Sequence, residues 1–575
     1  MQFYQTLVGE IAARAGDSTA AYRFLIEAAK TSADPRLYER AVDIAVAAGS
    51  GPLAWQAAGM WAAALPDSLD AQRAVLRLSL ALGREQDIAN SLSRILNLSA
   101  APDRVELIRA IPLTLQRLPA NSQVDTVRVL QQALKPFVAQ TDTASAAHAA
   151  IGFVQLSKGR TAAALDSARQ AQRVNTEEAD GARLALALMD QGVTQAEPIV
   201  LAHLNTKTHN TRVRFEYAKV LYSDHRTREA QRQTQQVLRE DANDVPAWLL
   251  LGQLWLDQND TVQAQQAAMQ ALAIGKAYSE QAADSQRPPQ DEQDAQDLRD
   301  AQDTQDTPDA SNRPVSPSAQ AAITQALFLL SDVEQAKGNW TEAEKWLGQV
   351  NHAQDAQTVL YKRAVLLGKQ GFIDRGYALL DGMPQTNAAQ LRIKQATQVQ
   401  WLRQFDQMYR AYMLLADMNQ RFPNDPDLLY EQAMLADKLD QPADMERLLR
   451  RVMDIKPDHH HAYNALGYAL ADRGERLPEA LTLIEKALTF APYDPYITDS
   501  LGWVYFRMGQ LDKAESVLRK AYNIKADGEI AGHLGEVLWQ GNQQDAAISL
   551  WREALSRQPD NDTLRATMQR FGVEP

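Results

Sequence analysis

The 575-residue chain contains no cysteine. That excludes disulfides, thiolate metal sites and a cysteine nucleophile, and leaves no thiol in the chain for lipid attachment. A basic stripe is missing too. Lys and Arg number 59 against 72 Asp and Glu, a net charge of −13, which argues against a nucleic-acid footprint. Alternating β-branched runs are scarce while Ala, Leu, Gln, Glu and Arg dominate, so no sheet is expected. The opening MQFYQTLVGEIAARAGD lacks the basic start, apolar core and small-residue cleavage site of a signal peptide. The uncharged stretch from Ile44 to Leu65 is long enough to span a bilayer, but it is Ala-rich and centred on Gly49-Ser50-Gly51-Pro52. It reads as two solenoid helices around a turn. No phosphate-cradling glycine loop, zinc-protease helix, nucleophile elbow or dinucleotide fingerprint occurs. The chain is therefore expected to be no enzyme and to hold neither cofactor nor metal.

What is present is a repeat. Aligned on Gly467, Gly502 and Gly535, spaced 35 and 33 residues apart, three segments read YNALGYALADRG, TDSLGWVYFRMG and AGHLGEVLWQGN. Each runs on into a second helix with a small residue, a large apolar one and another Ala: Ala480, Ile484, Ala487; Ala514, Leu518, Ala521; Ala547, Trp551, Ala554. That is the tetratricopeptide signature. Its physical cause is that an antiparallel helix pair of about 34 residues cannot bury its apolar face alone and must stack on neighbours. The glycines and alanines sit where the two helices come close. Leu466, Leu501, Leu534, Leu470, Tyr505 and Leu538 fill the seam, and Pro492 and Pro559 end second helices.

The register continues backwards with decaying fidelity. Trp248, Gly252, Trp255, Ala264 and Ala271 form one unit, with Ala218 and Ala230 marking the unit before it; Gly152, Gly159, Ala164 and Ala171 mark another; Gly9, Gly16, Ala21 and Ala28 a fourth; Gly49, Gly83 and Gly338 mark weaker ones. Residues 101–148 resist a clean register, although both helices there are amphipathic. The expected fold is all-α: a tetratricopeptide α-solenoid, a right-handed superhelix of antiparallel helix pairs. Three stretches are expected: an N-terminal solenoid over 1–275, a disordered Asp/Gln-rich insertion over 276–318, and a C-terminal solenoid over 319–575. The insertion holds seven Asp-opened triplets from Asp291 and a net −6. It lacks the turn glycines of calcium loops and the apolar mass to offset ordering entropy.

Asp458-His459-His460-His461 is the one metal-like cluster. Adjacent histidines do not share a helix face, so it reads as a helix start in which Asp458 caps and the imidazoles face solvent. The remaining candidate is a surface. In such a solenoid the first helix of each pair lines the concave side, and the slots after the repeat glycine hold Tyr468, Trp503 with Phe506, and Trp539, joined by Tyr496. Aromatics there either anchor a partner segment or pack between neighbouring units. The residues Asn464, Ser500 and Gly532 do not fit the Lys, Asn and Arg pattern of a carboxylate clamp.

The C-terminal repeats YNALGYALADRGERLPEALTLIEKAL, DSLGWVYFRMGQLDKAESVLRKAY and HLGEVLWQGNQQDAAISLWREAL resemble those of the large tetratricopeptide lipoproteins of the Gram-negative outer membrane. The opening LVGEIAARAGDSTAAYRFLIEAA and DPRLYERAVDIAVAAG resemble the start of their mature region. The resemblance implies a non-enzymatic adaptor at the periplasmic face of the outer membrane. Such an adaptor binds and activates a carboxyl-terminal processing protease and brings it substrates such as cell-wall hydrolases. Two departures are the missing secretion signal with its acylated cysteine, and the Asp-rich insertion. The alternative expectation is a cytosolic scaffold for a multiprotein complex.

Overall fold

The computed structural model describes residues 2–116, 118, 122, 124–285, 319–558 and 561–574. Among them the regular structure is helical, with fifteen successive helix pairs and a last helix at Asp562–Arg570. The chain is an all-α solenoid of tetratricopeptide type. It divides into two compact units, Met1–Val213 and Arg214–Pro575. The division falls within a helix, Thr211–Ser223, and so lies far upstream of the expected break at 276–318.

One backbone feature makes the register visible. The turn inside a pair holds a residue of left-handed conformation, at positions 16, 49, 83, 159, 192, 225, 259, 338, 371, 406, 440, 474, 509 and 542. Nine of these are glycine, which carries no Cβ penalty there. The others are His225, Asn259, Asp406, Asp440 and Asn542, and Asn and Asp are the side chains best tolerated in that region. First helices commonly start on an Asp. Asp494, for example, precedes Pro495 and accepts hydrogen bonds from the backbone N–H groups of Tyr496 and Ile497 at 2.8 and 3.0 Å, which satisfies two orphan donors of the first turn.

In the first unit the helices Pro35–Ala47 and Gly51–Ala64 replace any membrane-spanning reading of residues 44–65. Among the described residues no helix is long and apolar enough to cross a membrane. The stretch without clean register forms a helix pair, Ala101–Leu115 with Thr126–Leu134, followed by a short 3-10 turn at Phe137–Ala139. Pro112 lies inside the first of these helices and removes one ladder hydrogen bond. A part-buried ion pair ties this irregular pair down. Arg109 grips Asp180 through Nε at 2.7 Å and Nη2 at 2.9 Å, and also reaches Glu106 and Glu178. Asp180 is only 4% exposed.

In the second unit the pairs keep their register across residues 286–318. The flanking helices Thr261–Ser285 and Ala319–Ala336 pack against each other, burying Ala268, Ala271, Leu272 and Ile274 with Ala322, Ala326, Leu327 and Leu330. The first of them runs ten residues into the segment expected to be an insertion, so 276–285 are helical; residues 286–318, and with them the Asp triplets, lie outside the described residues. Pro559 does too. A continuous buried cluster extends from Ala364 to Val504, with Trp401 fully buried against Phe405 at 4.7 Å.

The repeat glycines are contact points, as their spacing predicts. A Cβ on Gly467 would stand 2.6 Å from Ile484 Cγ1, and one on Gly502 would stand 2.5 Å from Leu518 Cγ. On Gly535 it would overlap the Trp551 indole, which is fully buried and donates Nε1–H to the Ala531 carbonyl at 3.1 Å. Gly532, one turn earlier on the same helix, has only Thr567 Oγ1 at 3.8 Å in its way.

Two glycines of one helix are therefore expected to answer to alanine with opposite signs. Gly535→Ala should destabilise by about 1–3 kcal/mol through overpacking, whereas Gly532→Ala should stabilise by about 0.5–1 kcal/mol by relieving backbone entropy. Chemical denaturation of the two variants checks this; equal effects would contradict the contact. Arg109→Ala should cost about 3 kcal/mol by stranding the buried Asp180 carboxylate, read as an early transition of the first unit in a thermal melt.

Candidate functional site

The first helices of the last pairs, His460–Arg473, Pro495–Arg507 and Gly528–Gln540, lie side by side. Together with Pro426–Lys438 they line a cavity of about 570 Å³ whose wall includes Asp437, Tyr468, Tyr496, Asp499, Glu529 and His533. This is the side on which the sequence register places a groove.

The five sequence-predicted aromatics divide by environment. Tyr468 and Tyr496 line the cavity. Tyr496 is 41% exposed, with its hydroxyl 3.4 Å from Asp527 Oδ2 and the Lys525 ammonium 5.1 Å from its ring. Trp503 is only 6% exposed. It stacks on the His533 imidazole at 4.3 Å between ring centres and 24° between planes, and Phe506 sits 5.1 Å away on it. Trp539 stacks on Trp551 at 5.8 Å and meets Phe571 at 5.3 Å. The tyrosines thus face the groove, Trp503 stands behind its wall through His533, and Trp539 packs on Trp551 and Phe571. Wall and groove are continuous, because His533 belongs to both.

His533 and Asp499 are the residues that sequence reading missed. His533 Nδ1 lies 2.8 Å from Asp499 Oδ2, and its Nε2 lies 3.4 Å from the Tyr468 hydroxyl. Burial by itself lowers an imidazole's pKa. Here the Asp499 carboxylate, through its field and its hydrogen bond, with Glu529 and Asp472 behind it, more than offsets that and holds His533 above the usual histidine range. Asp499 and His533 stand 34 residues apart, one repeat, on adjacent first helices. The signal was therefore available in the alignment: the residue two before Leu501 meets the one before Leu534. Tyr468 is shifted upward as well, first by burial and then by Asp472, Asp499, Glu529 and Asp437.

The histidine run is a helix start, with two changes from expectation. His459, not Asp458, caps the helix His460–Arg473: its Nδ1 accepts the Ala462 backbone N–H at 3.2 Å. Its ring is buried and rests against Tyr430 at 5.2 Å instead of facing solvent. A ring nitrogen that accepts a backbone N–H cannot also take a metal. Among the described residues no group of His, Asp and Glu is arranged to hold an ion.

The raised His533 pKa carries a pH dependence. A folded-state pKa above the unfolded value of about 6.5 means that the charged imidazole stabilises the fold fully below that pH, and that this is lost as pH rises through the folded pKa. His533→Gln should therefore cost more stability near pH 6, about 2 kcal/mol for a charge-assisted hydrogen bond, than near pH 9. Melts of both proteins at the two pH values check it, and an identical difference at each would contradict the assignment.

One tetratricopeptide-repeat family model matches residues 216–282 and 430–495, and a second matches 500–527. The TPR repeat-containing protein PA4667 of Pseudomonas aeruginosa is 33% identical over 252 residues, which is 43% of this chain and 42% of that protein. The chain thus spans less than half of that relative's length. A tetratricopeptide protein from Thermus thermophilus is 21% identical, covering 37% of this chain and 100% of its own, with a TM-score of 0.27. One from Parabacteroides merdae is 14% identical, covering 43% and 97%, with a TM-score of 0.33. The glycine contacts, the left-handed turns and the matched repeats agree: the chain is a tetratricopeptide-repeat-containing protein.

Proposed function

We propose that this protein is a non-enzymatic adaptor that holds a partner polypeptide in the groove of its last repeats. Tetratricopeptide repeats make protein-binding scaffolds, and the observation that carries the location is the cavity itself, walled by stacked first helices and fronted by Tyr468 and Tyr496. A half-exposed tyrosine on a rigid helix suits partner recognition, since it offers apolar area and a hydroxyl at low entropic cost. Trp503, Phe506 and Trp539 support this surface from within, so their contribution to binding runs through the shape of the wall.

The partner we propose is a carboxyl-terminal processing protease of the periplasm, with cell-wall hydrolases as the substrates delivered to it. In this reading the protein works at the periplasmic face of the outer membrane. Support comes from the resemblance of both ends of the chain to the large outer-membrane lipoproteins of this repeat type. The adaptor's task is then positional: protease and substrate held on one scaffold meet at a raised effective concentration.

The test is reconstitution with the carboxyl-terminal processing protease of the same bacterium. The full chain should bind it in a titration and raise its rate of hydrolase cleavage, and Tyr496→Ala should weaken binding by about thirtyfold, equivalent to about 2 kcal/mol, with the helical spectrum unchanged. Absence of both binding and stimulation would overturn the protease reading. Full binding by Tyr496→Ala would move the site out of this groove.

A further inference from the structure

The groove carries an excess of acid. Five carboxylates line it, Asp437, Asp440, Asp472, Asp499 and Glu529, against the Arg473 guanidinium and the His533 imidazole. Arg473 is already turned to Glu475 at 3.3 Å, and His533 is committed to Asp499. Asp437, Asp440 and Glu529 have no ion pair among the described residues, and Asp472 has only Arg507 Nη1 at 3.8 Å. Solitary surface carboxylates are ordinary. Here they act on one point, since Asp472, Asp499, Glu529 and Asp437 all raise the same Tyr468 hydroxyl. Low-dielectric walls around a cleft of one sign focus its field and attract the opposite charge.

A second observation points to a ligand. Asp499 is 6% exposed and lines the cavity. Its Oδ2 meets His533, but its Oδ1 is buried with no hydrogen-bond partner. An unpaired buried carboxylate oxygen costs stability unless a donor satisfies it. Met434 and the aromatic faces of Tyr468 and Tyr496 share the wall, offering apolar surface for the methylene stem of a long cationic side chain.

We propose that the groove takes a basic, extended polypeptide segment, with Lys or Arg side chains reaching the carboxylates and their stems lying on the tyrosines and methionine. A Lys or Arg entering here brings the opposite charge that Asp437, Asp440 and Glu529 lack, beside an Asp499 whose Oδ1 has no donor. The proposal rests on the adaptor reading and specifies the chemistry of what the adaptor holds.

The probe is a fluorescein-labelled peptide alternating lysine with alanine, compared with the same peptide carrying glutamine for lysine, and followed by anisotropy with the full chain at physiological ionic strength. The lysine peptide should bind and the glutamine peptide should not. The double variant Asp437→Asn with Glu529→Gln, neither residue being in an ion pair, should lose at least tenfold in affinity. A control with the same charge change on the first unit, Asp43→Asn with Glu39→Gln, should lose less than twofold. Equal loss in both variants would mean diffuse charge attraction and would overturn the proposal, as would retained affinity in the groove variant. Binding of calcium that displaces the peptide would assign the carboxylates to a cation instead, and would also overturn it. The adaptor reading is tested apart from this: groove-specific peptide binding by a chain that ignores the protease leaves this proposal standing and removes only the protease, whereas protease binding that survives the double variant, with no peptide bound, removes only the basic segment.

Discussion

The close approach of the two helices within each pair is the contact on which everything else depends. Gly467, Gly502 and Gly535 let the second helix seat Ile484, Leu518 or Trp551 directly on the first helix, and those large residues are fully buried as a result. Because the pair is held this tightly, its first helix has a fixed outward face. Stacking then sets the first helices side by side, and residues one repeat apart become neighbours. The His533–Asp499 bond, the Trp503–His533 stack and the shared groove wall are all contacts of that kind.

Legibility in the sequence followed the strength of that contact. The last three pairs were readable because Gly, Leu and Ala recur in fixed slots, and the Gly16, Gly49, Gly83, Gly159 and Gly338 turns were readable because glycine is the favoured left-handed residue. The pairs turning at His225, Asp406 and Asp440 were faint. There the same backbone conformation is reached by residues that are common in any loop. The irregular pair at 101–134 showed two amphipathic helices but no repeat register. Its second helix is short, a proline interrupts its first, and its anchor is an Arg109–Asp180 bond between residues 71 apart. The division near residue 213 has no composition shift to announce it, unlike the Asp-rich segment where a break was expected.

The candidate site was half legible. The aromatic slots were found from the register, yet register alone does not tell a ring that faces the groove from one that supports it. The Tyr468 hydroxyl meets His533 and the Tyr496 hydroxyl meets Asp527, whereas Trp503 is buried under His533 and Phe506, and Trp539 is partly buried against Trp551 and Phe571. The acidic lining was hidden for another reason: its members come from four different pairs and look, one by one, like solvated helix charges. Assembled, they give the groove a net acidic lining, with Asp499 Oδ2 on His533 and its Oδ1 without a partner.

The claim that a partner polypeptide lies along the first helices of the last pairs is tested most directly by hydrogen–deuterium exchange of the full chain, alone and with the carboxyl-terminal processing protease bound. The account predicts added protection in His460–Arg473, Pro495–Arg507 and Gly528–Gln540, with little change in the second helices Leu477–Phe490, Leu511–Ile524 and Gln544–Arg557. Protection confined to those second helices, or to the first unit, would contradict it.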